Sequence, residues 1–175
     1  MQLQIYCKNN STNELKVKEM LLMFNKNEHI VKWIFTRNIL VDELASISYS
    51  HPVLTMNTRH VKNEGVLLST YVHEQIHWYA VQNFDQLISV IDELKENYQQ
   101  VPVGYPLGAK DEFSTYLHLI INFLEIRAIK QLLGRDKATD VIEYLIQDHY
   151  IWIYKTVIQD YHSLEKLLNH HNLLI

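Results

Sequence analysis

Val72-His73-Glu74-Gln75-Ile76-His77-Trp78 contains the pattern His-Glu-x-x-His. On an α-helix, residues 73 and 77 sit one above the other on the same face, so two imidazoles can be aimed at one ion. Imidazole nitrogen suits zinc at about 2.0–2.1 Å. Glu74 projects about 100° around the axis from His73. That is too far round for an easy ligand, but it suits a base that takes a proton from a water on the metal. The surrounding frame reads Val66, Leu67, Leu68, Tyr71, Val72, Ile76, Tyr79 and Ala80, apolar on most sides, so the helix is expected to be buried. Unpaired polar groups there cost several kcal/mol. A metal is the simplest partner for all of them. The plain alternative is a set of buried histidines that hold no metal.

The whole chain frames this stretch. It has 175 residues, 47% hydrophobic and 21% charged, which suits one globular domain spanning 1–175 with a real core. Net charge is −4 and no basic run occurs, so a nucleic-acid footprint is not visible. Cys7 is the single cysteine, which excludes an intramolecular disulfide and a thiolate zinc cluster. Met1 to Tyr6 lacks the charged and long apolar regions of a signal peptide, and no apolar run approaches about 18 residues. The expectation is a cytoplasmic protein with no membrane partner; the oligomeric state is not legible. His170-His171 reads as a solvated pair.

Residues 1–7 alternate as a strand, and Asn9-Asn10-Ser11 marks a turn. Residues 13–25 have helical spacing. Lys32 to Thr36 and Ile39 to Val41 read as short strands, although Asp42-Glu43-Leu44 fits a helical turn equally. Pro52 to Thr58 is a better strand, with its proline at the first position. Asn63 or Gly65 begins the His-Glu-x-x-His helix, which runs to about Asn83. A further helix starts near Asp85. Gln99 to Lys110 carries Pro102, Gly104 and Pro106-Leu107-Gly108 and reads as an ordered loop near the cleft. Asp111 is the expected N-cap and Gly134 the expected C-terminal stop of the next helix. Two more helices follow, at about 138–147 and 149–169.

The helix after Asp111 carries a second constellation. Thr115, His118, Asn122 and Glu125 fall on one stripe among apolar neighbours. A carboxylate in such a place must be paired, neutralised or bound to metal. One reading is a buried polar network, with Glu125 bonded to His118 or paired with Arg127. The other is metal ligation.

Together these two helices resemble the gluzincin zinc metallopeptidases, in particular their compact single-domain members. The resemblance covers about residues 53 to 155. It implies an α+β zincin-like fold, with a small mixed or antiparallel sheet followed by a mainly helical C-terminal half. In that family the His-Glu-x-x-His helix supplies two ligands and the base, and a Glu from a later helix supplies the third ligand. Asn122-Phe123-Leu124-Glu125-Ile126-Arg127-Ala128 stands in that place. Position 129 is Ile where better-known members carry an acid that orients a histidine; Asn122 or Thr115 is the expected substitute. An edge strand before the active-site helix binds extended substrate in such enzymes, and Pro52 to Thr58 stands there. Leu54, Thr55, Met56 and Asn57 are then candidate substrate contacts by strand addition. Family members stabilise the oxyanion with a Tyr or His from the C-terminal half. His149, Tyr150 and Tyr154 are the candidates, with Tyr105 and Tyr116 behind them.

The third ligand is a choice between His118 and Glu125, which lie two turns and roughly 10 Å apart along the axis. Both sets are chemically sound. Glu125 is preferred. A buried carboxylate needs a cation more than a neutral imidazole does, Ala128 leaves room for a close helix approach, and the resemblance puts a Glu there. His118 is then expected to bear on substrate. The resulting expectation is a peptide hydrolase with one zinc per chain on His73, His77 and Glu125, and Glu74 as base. The rival expectations are a metal-binding regulatory or latent module, and a purely structural helical domain.

Overall fold

A computed structural model describes residues 3–175; Met1 and Gln2, the start of the expected first strand, lie outside the described residues. The chain opens with β1 (Gln4–Cys7), α1 (Thr12–Phe24), a 3₁₀ turn (Glu28–Trp33) and β2 (Asn38–Val41). It continues with β3 (Leu54–Met56) and then six helices. These are α2 (Glu64–Gln82), α3 (Phe84–Asn97), α4 (Glu112–Leu133), α5 (Arg135–Asp148), α6 (Ile151–Gln159) and α7 (Tyr161–His170).

Ser11 caps α1 through a capping box with Glu14, and the helix returns the chain so that β1 and β2 run parallel. β2 and β3 are also parallel, in the order β1-β2-β3, with Ile5 beside Ile39 and Ile39 beside Leu54. The expected mixed or antiparallel sheet is therefore corrected: among the described residues all three strands are parallel, and the antiparallel contact is a single bridge between Tyr49 and Thr55. The strand expected over Pro52 to Thr58 shrinks to Leu54–Met56.

Residues 34–36 do not form the strand expected there. The Phe35 and Thr36 N–H groups both donate to Gln75 Oε1, each at 2.8 Å, and the Gln75 side-chain amide donates back to the Thr36 carbonyl at 2.8 Å. One side chain of α2 thus replaces a strand ladder. It also fixes the face of α2 opposite to the one that carries the histidines.

α4 is the hub, packed against α2, α3, α5, α6, α7 and the 3₁₀ turn. Asp111 caps it, as the sequence indicates, by accepting the Ser114 N–H at 2.6 Å. Gly134 ends it at φ 79°, and α5 starts at the next residue. α5 passes so close to the start of α2 that a Cβ at Gly65 would stand 2.7 Å from Val141 Cγ2. The long helix expected over 149–169 is interrupted at Asp160, whose carboxylate accepts the Tyr98 hydroxyl at 2.8 Å. Among the described residues, no helix is long and apolar enough to cross a membrane.

Candidate metal centre

Asn63 caps α2 by accepting the Val66 N–H at 3.2 Å, and the helix then carries His73, Glu74 and His77 into the interface with α4. The two helices meet along the polar stripe of α4. Its His118 end meets His73 and His77, and its Glu125 end meets Ser69 and His73.

Three imidazoles converge there. Ring centroids are 5.0 Å apart for His73 and His77, 5.5 Å for His73 and His118, and 5.2 Å for His77 and His118. One ligating atom from each lies within 4.8 Å of the others. His73 Nε2 and His77 Nε2 are 3.2 Å apart. Two nitrogens on a tetrahedral ion at 2.0–2.1 Å would be separated by about 3.3 Å, so the pair is already at ligand spacing. The contact between the two nitrogens calls for a proton or a cation between them.

Two of the remaining nitrogens are anchored. His73 Nδ1–H donates to Glu125 Oε2 at 2.9 Å, and His118 Nδ1–H donates to the Ser114 carbonyl at 2.6 Å. Each bond turns the ring's Nε2 toward the shared centre, the orientation that metal-ligating histidines take. Burial pushes the His118 pKa down to about 3, with a further push from His73. Burial and the neighbouring His73, His118 and His51 hold His77 well below its ordinary value. Both rings are thus neutral at neutral pH, the form that binds metal. At His73 burial acts the same way, but the charge and hydrogen bond of Glu125 outweigh it and raise the pKa.

Glu125 does not join the ligand group. Its Oε1 accepts the Ser69 hydroxyl at 2.6 Å, and its Oε2 accepts His73 and the Tyr154 hydroxyl, the latter at 3.0 Å. It stands behind His73, in the orienting role that the sequence assigned to Asn122 or Thr115. His118, not Glu125, stands with His73 and His77 in the group whose nitrogens could hold one ion. Thr115 instead ties down a loop, donating to the Pro102 carbonyl and accepting the Ala109 N–H, both at 3.0 Å. Asn122 is fully buried, and neither end of its amide has a hydrogen-bond partner among the described residues.

His73, Glu74 and Glu125 line a cavity of about 450 Å³. Burial pushes the Glu74 carboxyl up to about 7, against the pull of His73 and with a push from Glu125. Glu74 makes no hydrogen bond among the described residues, so its proton-accepting oxygens are uncommitted.

The three oxyanion candidates separate clearly. The Tyr154 hydroxyl is spent on Glu125. His149 shares its Nδ1 with Asp148 Oδ2 at 2.9 Å, and burial lowers its pKa, so the neutral ring presents a bare Nε2 that accepts rather than donates. Tyr150 packs on His118 with centroids 4.5 Å apart and lines the cavity. Burial, with Glu74 and Glu125 nearby, pushes its phenol up to about 12, so it keeps its proton. Tyr150 also adopts φ 53°, a left-handed conformation that a non-glycine residue holds only when its surroundings impose it. Tyr116 lies elsewhere, bonded to the Tyr98 carbonyl.

Of the proposed substrate contacts, Leu54 and Met56 are core residues, and Thr55 is buried with its edge-facing amide already bonded to Tyr49. Asn57 alone of the four lines the cavity. The sequence reading also omitted Ser69, Asp148 and Arg59, which bonds Asp148. Ser69 lies one turn before His73 on the same face, a signal that was available; Asp148 adjoins His149.

The chain matches no protein-family model, no curated protein and no solved structure.

Proposed function

We propose that the protein is a zinc-dependent hydrolase of peptide or amide bonds, with His73, His77 and His118 as ligands and Glu74 as general base. One observation carries the reading: three imidazoles, two of them anchored through Nδ1, converge beside a buried carboxyl that accepts no hydrogen bond from the described residues. A carboxyl in a structural network is normally bonded within the protein, whereas Glu74 opens onto the cavity, where water or substrate can reach it. The three-histidine set leaves a fourth position open, the pattern of catalytic rather than structural zinc. When bound, the metal would supply a Lewis acid and lower the pKa of water toward about 7.

The chain's own groups supply the rest. Glu74 takes a proton from the attacking water as oxygen adds to the carbonyl carbon. It returns that proton to the leaving nitrogen as the C–N bond breaks, giving an acid and an amine. The Glu74 oxygens accept no hydrogen bond from the described residues and face the cavity, which leaves them free for both halves of that task. The Tyr150 hydroxyl donates to the developing oxyanion. Glu125 keeps His73 in one orientation, and Ser69 and Tyr154 keep Glu125 in place.

The test joins metal content with one conservative variant. Purified protein is expected to hold about one zinc per chain by elemental analysis. Glu74→Gln should keep that zinc and its melting temperature yet lose about 10²–10⁴-fold in hydrolysis of any amide that wild type cleaves. A protein that stays metal-free in micromolar zinc, or a Gln variant with full activity, overturns the reading.

A further inference from the structure

β3 is the outermost strand of the sheet, but its outer edge is not bare. Residues 53, 55 and 57 turn backbone groups outward. The Val53 carbonyl accepts the Thr55 hydroxyl at 3.0 Å. The Thr55 N–H donates to the Tyr49 carbonyl at 2.8 Å, and the Thr55 carbonyl accepts the Tyr49 N–H at 3.0 Å. The Asn57 N–H donates to Ser48 Oγ at 3.0 Å. The strap formed by residues 46–51 is itself secured from other directions. The Asn57 side-chain amide donates to the Ser46 carbonyl at 3.3 Å, Trp78 Nε1–H donates to the Ser50 carbonyl at 2.9 Å, and His51 stacks on Trp78 at 4.4 Å. The central pair of bonds that an added strand would make to β3, at Thr55, is already made within the chain, as is that of the Asn57 N–H.

The opposite wall is equally fixed. In the loop between α3 and α4, a Cβ at Gly108 would fall 1.9 Å from the Pro102 carbonyl oxygen, so the backbone is closed upon itself there. The first N–H groups of α6, on Ile151 and Trp152, donate to the carbonyls of Pro106 and Leu107 at 3.0 and 3.1 Å. Ile47 and Ser48 line the cavity from the strap, and Tyr105 and Ala109 line it from the loop. A rounded space of about 450 Å³ is about 10 Å across, enough for two or three extended residues at about 3.3–3.6 Å each. Ile47, Ala109 and Leu145 give it apolar wall.

We propose that the site acts on short peptides and acyl amides bearing an apolar side chain, and excludes extended chains, because Ser46–His51 occupies the strand edge such chains would need. The proposal rests on the hydrolase reading above.

The experiment compares an acetylated, amidated dipeptide, tetrapeptide and octapeptide sharing one central apolar pair, using the full chain loaded with zinc. In wild type, kcat/KM is expected to fall about tenfold or more from dipeptide to octapeptide. Tyr49→Pro deletes one of the two backbone bonds that close the edge at Thr55 and so loosens the strap, and the folded variant should recover several-fold on the octapeptide relative to the dipeptide. Independently of activity, the Thr55 amide of metal-free wild type should exchange its hydrogen slowly, whether or not the octapeptide is present. Octapeptide cleavage as fast as dipeptide cleavage in wild type overturns the proposal, as does fast Thr55 exchange or an unchanged length preference in folded Tyr49→Pro. Zinc-loaded protein that cleaves none of the series overturns the hydrolase reading and this proposal together; cleavage with the length preference reversed overturns this proposal alone.

Discussion

Glu14 and Glu125 are both enclosed glutamates on helices, at 0% and 1% exposure, and only one of them stands at the candidate centre. Glu14 is satisfied mainly by backbone. Its carboxylate accepts the N–H groups of Asn9 at 2.8 Å, Glu43 at 3.0 Å and Ser11 at 3.3 Å, with the Asn9 side chain at 3.0 Å. It pins the start of α1 to the turns after β1 and β2. Glu125 is satisfied entirely by side chains, Ser69, His73 and Tyr154, and one of those is an imidazole whose other nitrogen faces the cluster. Burial obliges a carboxylate to find donors, and it does not specify a metal. What distinguishes the carboxylate at the candidate centre is the identity of its donors.

The largest contrast is expected in metal affinity. On the proposed ligand set, His118→Ala removes a ligand and should weaken zinc binding by more than the roughly 10–100-fold that loss of an orienting partner typically costs. Glu125→Gln keeps the ligands but loosens His73, and should fall within that smaller range. Zinc titration against a competing chelator measures both. Equal binding by His118→Ala and wild type, with loss in Glu125→Gln, would restore the two-histidine, one-carboxylate set.

That pair of variants also shows where sequence reading stopped. The His73/His77 pair, the Asn63 and Asp111 caps and the buried stripe on α4 follow from local periodicity, and all are present. The choice between His118 and Glu125 depends on how α2 and α4 cross, which no local pattern encodes. The premise that only one of the two could reach the site treated His73 as a point. An imidazole has two nitrogens on opposite sides, and His73 meets Glu125 with one and the cluster with the other. The sheet was misread for a related reason. Strand alternation fixes which side chains are buried, but the parallel pairing comes from the α1 crossover and from the irregular segment 42–53, which returns along the outer edge of β3.

A smaller effect separates the two glutamates in stability. Glu14→Gln replaces a carboxylate that accepts at both oxygens with an amide that can accept at only one. Charge-assisted bonds of this kind are the stronger ones. A domain of this size loses about 2–4 °C of melting temperature per kcal/mol, so a fall of roughly 5 °C is expected for the variant. Because Glu14 shares no hydrogen-bond partner with the histidines, the increment in melting temperature from added zinc should match that of wild type. A Glu14 variant with weakened zinc binding would mean that the two carboxylates are coupled, and the contrast between them would fail.

The smallest expected effect is the pH dependence of that stability difference. Burial alone would raise the Glu14 pKa, but the bonds from Glu43, Asn9 and Ser11 outweigh it and hold the folded value below the ordinary 4.5. A depressed folded pKa means that the unfolded chain binds the proton more readily than the folded one. The stabilisation is therefore complete above the unfolded value and fades as pH falls through the folded value. Between about pH 6 and 8 the carboxylate is ionised in both states, so the melting-temperature gap between wild type and Glu14→Gln should be flat there. Below 4.5 the gap should shrink, because a protonated Glu14 and the neutral amide of the variant present similar uncharged acceptors to the same donors. Thermal melts of the two proteins across that range decide the matter. A gap that widens on acidification would show that the backbone donors do not stabilise the ionised form, and would remove the electrostatic distinction between a carboxylate held by backbone and one held by side chains.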